Sequence, residues 1–229
     1  ESKKQEELLK SKNLKKFIDN FRRSAKEDGL SQDIINEIVS QFVQEEGPKG
    51  IKKDDGSIMF SQIIVDFVKN QNKNITKKQR RKRNKEIAKE ILELTELAKQ
   101  DNPDITAKEV LNLPENKELK DELAKLNLGI VVERAKVAAT AGKGLTLEEK
   151  RKVGFDQFLS GYTKEYNDLL NTYNPAMNDN FGTYAASTIR PRYNQILNHV
   201  RNKLEQEGGP GVVGIQVRTS EGLVDRQIA

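Results

Sequence analysis

Apolar residues recur along most of this chain at intervals of three and four, the period of a helix with one buried face. Leu14, Phe17, Ile18, Phe21 and Ala25 make the first such stripe, and Gly29 stops it. Ser31 is a good N-cap for a second helix carrying Ile34, Ile35, Ile38, Val39, Phe42 and Val43, which Gly47-Pro48-Lys49-Gly50 breaks. Asp54-Asp55-Gly56 predicts a turn, and Phe60, Ile63, Ile64, Phe67 and Val68 predict a third helix. Three helices of that length suit a small bundle.

Thr76-Lys77-Lys78-Gln79 has the form of a capping box, so one long helix is expected from Lys77 to about Gln100, with Ile87, Ile91, Leu94 and Ala98 buried. Asn102-Pro103 ends it, and a second box, Thr106-Ala107-Lys108-Glu109, opens a short helix closed by Pro114. A further helix is predicted from about Glu115 to Leu126, followed by the Val- and Ala-rich segment Ile130 to Ala141. Two glycines remove side-chain restraint in Gly142-Lys143-Gly144, and a hinge and boundary are placed there. A third box, Thr146-Leu147-Glu148-Glu149, starts one helix expected to carry Val153, Phe158, Leu159, Tyr162, Tyr166, Leu169, Leu170 and Tyr173 as far as Asn174-Pro175.

The last helical region, about Asn180 to Gln206, contains Pro191, whose missing donor and ring predict a kink or a fresh helix start. After Gly208-Gly209-Pro210-Gly211 the pattern changes. Val212, Val213, Ile215 and Val217, with Thr219-Ser220-Glu221-Gly222 behind them, read as a strand and a turn. The expected fold is therefore all-α, an elongated multi-helix assembly of small bundles, with a short β-strand or hairpin at the C-terminus. Its divisions are an N-terminal helical bundle (1–75), the basic long helix with short helices (76–141), a C-terminal helical domain (142–207) and a Gly-rich linker with a strand-like tail (208–229). No internal repeat of fixed period is visible.

Composition makes the core thin. Of the 229 residues 35% are hydrophobic and 33% charged, 6% are aromatic and none is Trp, so burial rests on aliphatic stripes packed on one another or on partners. The 40 basic and 35 acidic side chains are mixed through most of the chain, which suits solvated helix faces and i,i+4 pairs. A net charge of +5 favours an anionic surface, nucleic acid first. The absence of Cys excludes disulfides, thiolate catalysis, zinc knuckles and iron–sulfur clusters. No stretch approaches the roughly 20 apolar residues of a membrane span, and the N-terminus is a charged amphipathic segment, so the chain reads as soluble. It opens at Glu1 and closes on Asp225-Arg226-Gln227-Ile228-Ala229, which reads as a fragment or processed product of something longer.

The densest feature is Lys77, Lys78, Arg80, Arg81, Lys82, Arg83 and Lys85, followed by Lys89, with Glu86 the only acid among them. Like charges at i,i+3 and i,i+4 repel, and cations at a helix N-terminus oppose its macrodipole. Both penalties point to an external polyanion, and phosphate contacts by about five to seven of these candidate nucleic-acid-binding residues would give strong, salt-dependent, sequence-independent binding. A solvated face pairing with acidic patches on neighbouring subunits, a localisation tag and a membrane headgroup are the other readings. No aromatic residue interleaves the run, so base stacking is not expected there.

Other candidates carry little chemistry. Ala141-Gly142-Lys143-Gly144-Leu145-Thr146 lacks the phosphate-loop spacing and a preceding strand. His199, the only histidine, sits beside Leu197 and Val200 and reads as a partly packed or surface residue, since no nucleophile with a supporting acid is evident. Asp54-Asp55, Glu6-Glu7 and Glu148-Glu149 fall in turns or first helical turns, where carboxylates suit the dipole. Asn74-Ile75-Thr76 matches a glycosylation sequon, which means little without a secretory signal. No catalytic residue, metal ligand or cofactor is expected.

Tyr173-Asn174-Pro175, Phe181-Gly182-Thr183-Tyr184-Ala185 and Ile189-Arg190 resemble the core helix of bacterial primary sigma factors, in which an aromatic-Asp-Pro turn leads into Phe-Ser-Thr-Tyr-Ala and then Ile-Arg. The likeness is confined to residues 173–192, and Ser187 and Thr188 stand where those factors carry the aromatic pair that helps melt promoter DNA. Asn174-Pro175, Asn180-Phe181-Gly182 and Tyr184 are more fully similar to a pattern in very large multi-domain virion proteins of tailed phages, which are carried inside the particle and delivered with the genome. Proteins that pass a narrow tail should unfold easily, which fits a helical chain without Cys or Trp.

The phage resemblance implies a non-enzymatic structural or internal cargo component of a virion, made in the host cytoplasm and located in the particle. Its partners would be other virion proteins or copies of itself, and nucleic acid through the basic helix. Tyr173, Phe181, Tyr184, Arg190 and Arg192 are then the expected partner-binding residues. The sigma resemblance implies instead a transcription module whose segment Tyr173 to Arg192 contacts RNA polymerase or DNA. An accessory domain of an enzyme, cut from a polyprotein, is a third class.

Overall fold

A computed structural model describes the backbone of residues 2–46, 60–208, 215–219 and 222–226, and the side chains of 14–44, 63–150 and 153–204. In chain order the first helices are α1 (Ser2–Glu27), α2 (Gln32–Glu46), α3 (Phe60–Asn74), α4 (Lys77–Ala98), α5 (Ala107–Leu111) and α6 (Lys117–Asn127). Then come α7 (Gly129–Ala141), α8 (Leu147–Lys152), α9 (Phe155–Thr172), α10 (Phe181–Ile189) and α11 (Tyr193–Gly208). The fold is all-α, as the periodicity predicts. Two strands, β1 (Ile215–Thr219) and β2 (Gly222–Arg226), form the antiparallel hairpin expected at the C-terminus, with Val217 opposite Val224. The expected breaks at Gly47-Pro48-Lys49-Gly50, Asp54-Asp55-Gly56 and Gly209-Pro210-Gly211 lie outside the described residues, as do Val212 and Val213.

The helix starts follow from short-range hydrogen bonding. Thr76 Oγ1 accepts the Gln79 N–H at 3.2 Å, and Gln79 Oε1 accepts the Thr76 N–H at 2.8 Å, so two otherwise orphaned donors are satisfied at the head of α4. Thr106 with Glu109 and Thr146 with Glu149 repeat the box at the heads of α5 and α8. Ser31 Oγ accepts the Ile34 N–H at 3.3 Å at the head of α2. Each such cap contributes about 1 kcal/mol. At Pro191 the chain makes a single 3-10 turn, Arg190–Arg192, and restarts as α11.

One helix expected from the Thr146 box to Tyr173 is two. Val153 leaves α8 with extended backbone, φ −92° and ψ 118°, and Gly154 is extended as well. The Gln157 side chain then accepts the Gly154 N–H at 2.8 Å, which starts α9 afresh. A β-branched residue followed by glycine is a weak place in a helix, and a local cap outweighs continuation there.

The helices of the first three expected divisions share one hydrophobic core, running from Phe21 to Val200. Its axis is α9, on which α3, α6, α7, α10 and α11 all pack. Phe158, Leu159, Tyr162, Tyr166, Leu169 and Leu170 are buried, and so are Ser160, Gly161 and Thr163 on the remaining faces. Gly161 admits α11 closely, since a Cβ there would stand 2.9 Å from Ile196 Cγ2. A helix apolar on several faces cannot be satisfied within one small bundle, so it draws in its neighbours.

At Gly142-Lys143-Gly144, where a hinge and boundary are expected, the chain turns from α7 into α8. Across the turn and α8, α7 and α9 pack together more extensively than any other pair of the described helices. The two glycines serve a tight turn with φ of 51° and 77°. Tyr193 Oη donates to the Lys143 carbonyl at 2.6 Å and Arg201 Nη2 to the Gly144 carbonyl at 2.8 Å, so α11 ties the turn down.

Candidate nucleic-acid interface

One side of α4 is committed to the core by Asn84, Ile87, Ala88, Ile91 and Thr95. Its outer side carries Lys77, Arg81, Lys85 and Lys89 at successive intervals of four, with Lys78 and Lys82 in the next row. From Lys77 to Lys89 the row is about 18 Å long. All six side chains are exposed.

The eight predicted basic residues do not share one state. Lys77, Lys78 and Arg81 make no ion pair among the described residues, and Lys82 pairs only with Glu86 on its own helix, at 3.5 Å. Lys89 likewise has Glu93 at 3.4 Å, an exposed i,i+4 contact that contributes a few tenths of a kcal/mol. Lys85 reaches Asp179, in the loop before α10, at 2.7 Å. Arg83 turns inward and grips Glu122 of α6 with both Nε and Nη2, at 2.6 and 2.7 Å. That bidentate hydrogen bonding holds the Glu122 carboxyl below its ordinary value. Arg80 bends back to donate to Asn72 at the end of α3, and its buried Nε finds no partner. Arg80 and Arg83 thus fasten α4 to the body, and the other six face outward.

The segment from Tyr173 to Tyr184 is built against the same helix turns. Tyr173 Oη donates to the Asn178 carbonyl at 2.6 Å and closes the loop after α9, and burial pushes the Tyr173 phenol up. Asn180 Oδ1 accepts the Thr183 N–H at 3.0 Å as the cap of α10, while its Nδ2 donates to the Arg81 carbonyl at 3.2 Å. Phe181 enters an aromatic cluster with Tyr166 and Tyr173, ring centroids 5.5 and 5.0 Å away. Asn84 and Asn127 exchange amide hydrogen bonds at 3.2 and 2.8 Å in the buried contact of α4 with α6.

Gly182 packs directly over that amide pair. Alanine in place of glycine ordinarily stabilises a helix by up to about 1 kcal/mol. Here the added Cβ would overlap Asn127 Oδ1. The amide cannot swing aside, because its Nδ2 also donates to the Leu123 carbonyl at 2.8 Å. Gly182→Ala is therefore expected to cost about 1 to 3 kcal/mol. A lowered urea midpoint at unchanged slope would show it, and a midpoint equal to the parent's would mean that Asn127 is free to move.

Of the five expected partner-binding residues, Tyr173 and Phe181 are fully buried at 0% exposure, so their contacts are internal. Tyr184 is half-buried with its ring 5.5 Å from Tyr173. Arg192 pairs with Glu165 of α9 at 2.9 Å, and only Arg190 is exposed. His199 is half-buried on α11, and burial lowers its pKa.

A buried polar cluster was not evident from the sequence. Asp28, 1% exposed, accepts Ser160 Oγ at 2.7 Å and Lys203 Nζ at 2.9 Å on the same oxygen, and Lys203 also donates to Ser160 at 2.5 Å. Asn167 Nδ2 donates to the Asp28 carbonyl at 2.9 Å. Burial raises the Asp28 pKa against the lowering by Lys203. Ser160 and Lys203 converge on one oxygen of Asp28, so the cluster joins the α1–α2 turn to α9 and α11. Its one visible signal was that Asp28 continues the apolar register of Phe21 and Ala25. Among the described residues no three His, Asp or Glu side chains come together as a metal site, and no helix is long and apolar enough to cross a membrane. Comparison with family models, with curated proteins and with solved structures gives no match to this chain.

Proposed function

We propose that the protein is a non-catalytic helical component of a phage particle, holding nucleic acid by its phosphates on the outer side of α4 while other surfaces meet neighbouring subunits. The observation that carries the nucleic-acid reading is the row Lys77, Lys78, Arg81 and Lys82, four exposed cations at the positive end of a helix without a carboxylate from elsewhere in the described fold to neutralise them. The exposed row is made of lysines and one arginine, whose charges neutralise phosphates whatever the base sequence. The virion reading rests on the Asn-Pro, Asn-Phe-Gly-x-Tyr likeness. In this fold those residues make a loop, a cap and a close helix approach, which a related chain would need to retain.

Titrating the protein with two duplexes of unrelated sequence tests the contact. About four neutralised phosphates predict a slope of log affinity against log salt of about −4, the same for both duplexes. A flat salt response, or strong discrimination between the sequences, would refute it. Detection of the chain in purified phage particles by mass spectrometry checks the location.

A further inference from the structure

Lys85 lies in line with Lys77 and Arg81, yet its Nζ is held 2.7 Å from Asp179 Oδ2. Both side chains are well exposed, 59% and 64%, so the pair does not offset a burial cost and contributes little to stability. What places Asp179 there is its neighbours. Asn178 accepts Tyr173 Oη on its carbonyl and, through Oδ1, the Asn180 N–H at 2.9 Å. Asn180 in turn caps α10 and donates to the Arg81 carbonyl. The backbone on both sides of Asp179 is therefore pinned, and its carboxylate stands beside the basic row at a fixed distance from the core.

Resting on the reading of α4 as the nucleic-acid contact, we propose that Asp179 acts as a built-in stand-in for phosphate. It occupies Lys85 and so limits the contact to the first two turns of α4. A phosphate approaching Lys85 must displace a tethered carboxylate and then lie beside the negative charge it has displaced. Lys85 thus adds nothing to the grip while Asp179 is present. The consequence is a weaker and more readily reversed hold on nucleic acid than the full row would give.

The test is a double-mutant cycle, with Asp179→Asn, Lys85→Gln and both together, read by duplex-DNA binding between 50 and 200 mM salt. Freeing one phosphate contact is expected to tighten Asp179→Asn binding about fifteenfold at 50 mM and about fourfold at 200 mM, and to steepen the salt slope by about 0.9. Lys85→Gln alone should change affinity by less than about twofold, and in the double variant the gain should vanish. No gain in Asp179→Asn overturns the proposal. A gain that persists in the double variant also overturns it, because Asp179 would then act only as a repelling charge. Replacing Lys77, Lys78, Arg81 and Lys82 with Gln reports separately on the underlying reading. If that variant loses binding while Asp179→Asn changes nothing, only the stand-in role fails; if the wild type does not bind DNA, both fail.

Discussion

Replacing Lys77, Lys78, Arg81 and Lys82 together with Gln is expected to weaken duplex binding by about 5 × 10⁴-fold at 50 mM salt and about 300-fold at 200 mM. The salt slope should fall by about 3.6, on the reckoning of 0.9 per lost phosphate contact with each contact worth nothing at 1 M. These four are chosen because none is tied to another element of the described fold. Their removal also relieves like-charge repulsion at the head of α4, so thermal stability should hold or rise. Arg83→Gln is the informative contrast. Its guanidinium is spent on Glu122, so that variant should lose stability through the α4–α6 contact and leave the salt slope unchanged. If the quadruple variant binds duplexes as tightly as the parent, the basic row does not serve nucleic acid. Binding of an acidic protein lost in the variant would then identify the other kind of partner.

Phe181→Ala should cost about 3 to 5 kcal/mol and lower the melting temperature by about 10 °C. The ring is 0% exposed, and around it stand Tyr166, Tyr173 and Tyr184 with centroids 5.5, 5.0 and 6.3 Å away. These side chains cannot collapse into the space. Tyr166 is fixed by its hydroxyl donating to the Ala124 carbonyl at 2.8 Å, and Tyr173 by its bond to Asn178. The exposed Arg190 offers the opposite case, and Arg190→Ala should change stability by less than about 0.5 kcal/mol. A thermal melt of the two variants decides. Equal, small shifts would mean that Phe181 is not the keystone of this cluster. A transcription module would behave differently, with Arg190→Ala abolishing RNA polymerase capture at an unchanged melting temperature.

Much of this fold is readable in one dimension, because a helix is a local structure. The stripes at Phe21–Ala25, Ile34–Phe42 and Ile87–Ile91 all face the core, and the three Thr-x-x-Glu/Gln boxes all close, since both partners of each bond lie within three residues. The basic row is equally local, being a matter of composition and the helical repeat. The break at Val153-Gly154 went unread because a continuous helix and two capped ones have nearly the same apolar pattern.

Which cations of the basic row remain available was decided only in three dimensions. Glu122 and Asp179 lie 39 and 94 residues from the Arg83 and Lys85 they engage, and neither distance leaves a trace in the local pattern. The same holds for Asn84 with Asn127, for Gly182 over that amide, and for Asp28 with Lys203, where a residue's role depends on what another element brings to it. Periodicity told that α9 is apolar but not that five helices gather round it. A stripe states how much surface a helix must bury, whereas its partner is settled by the mutual packing of all the stripes at once.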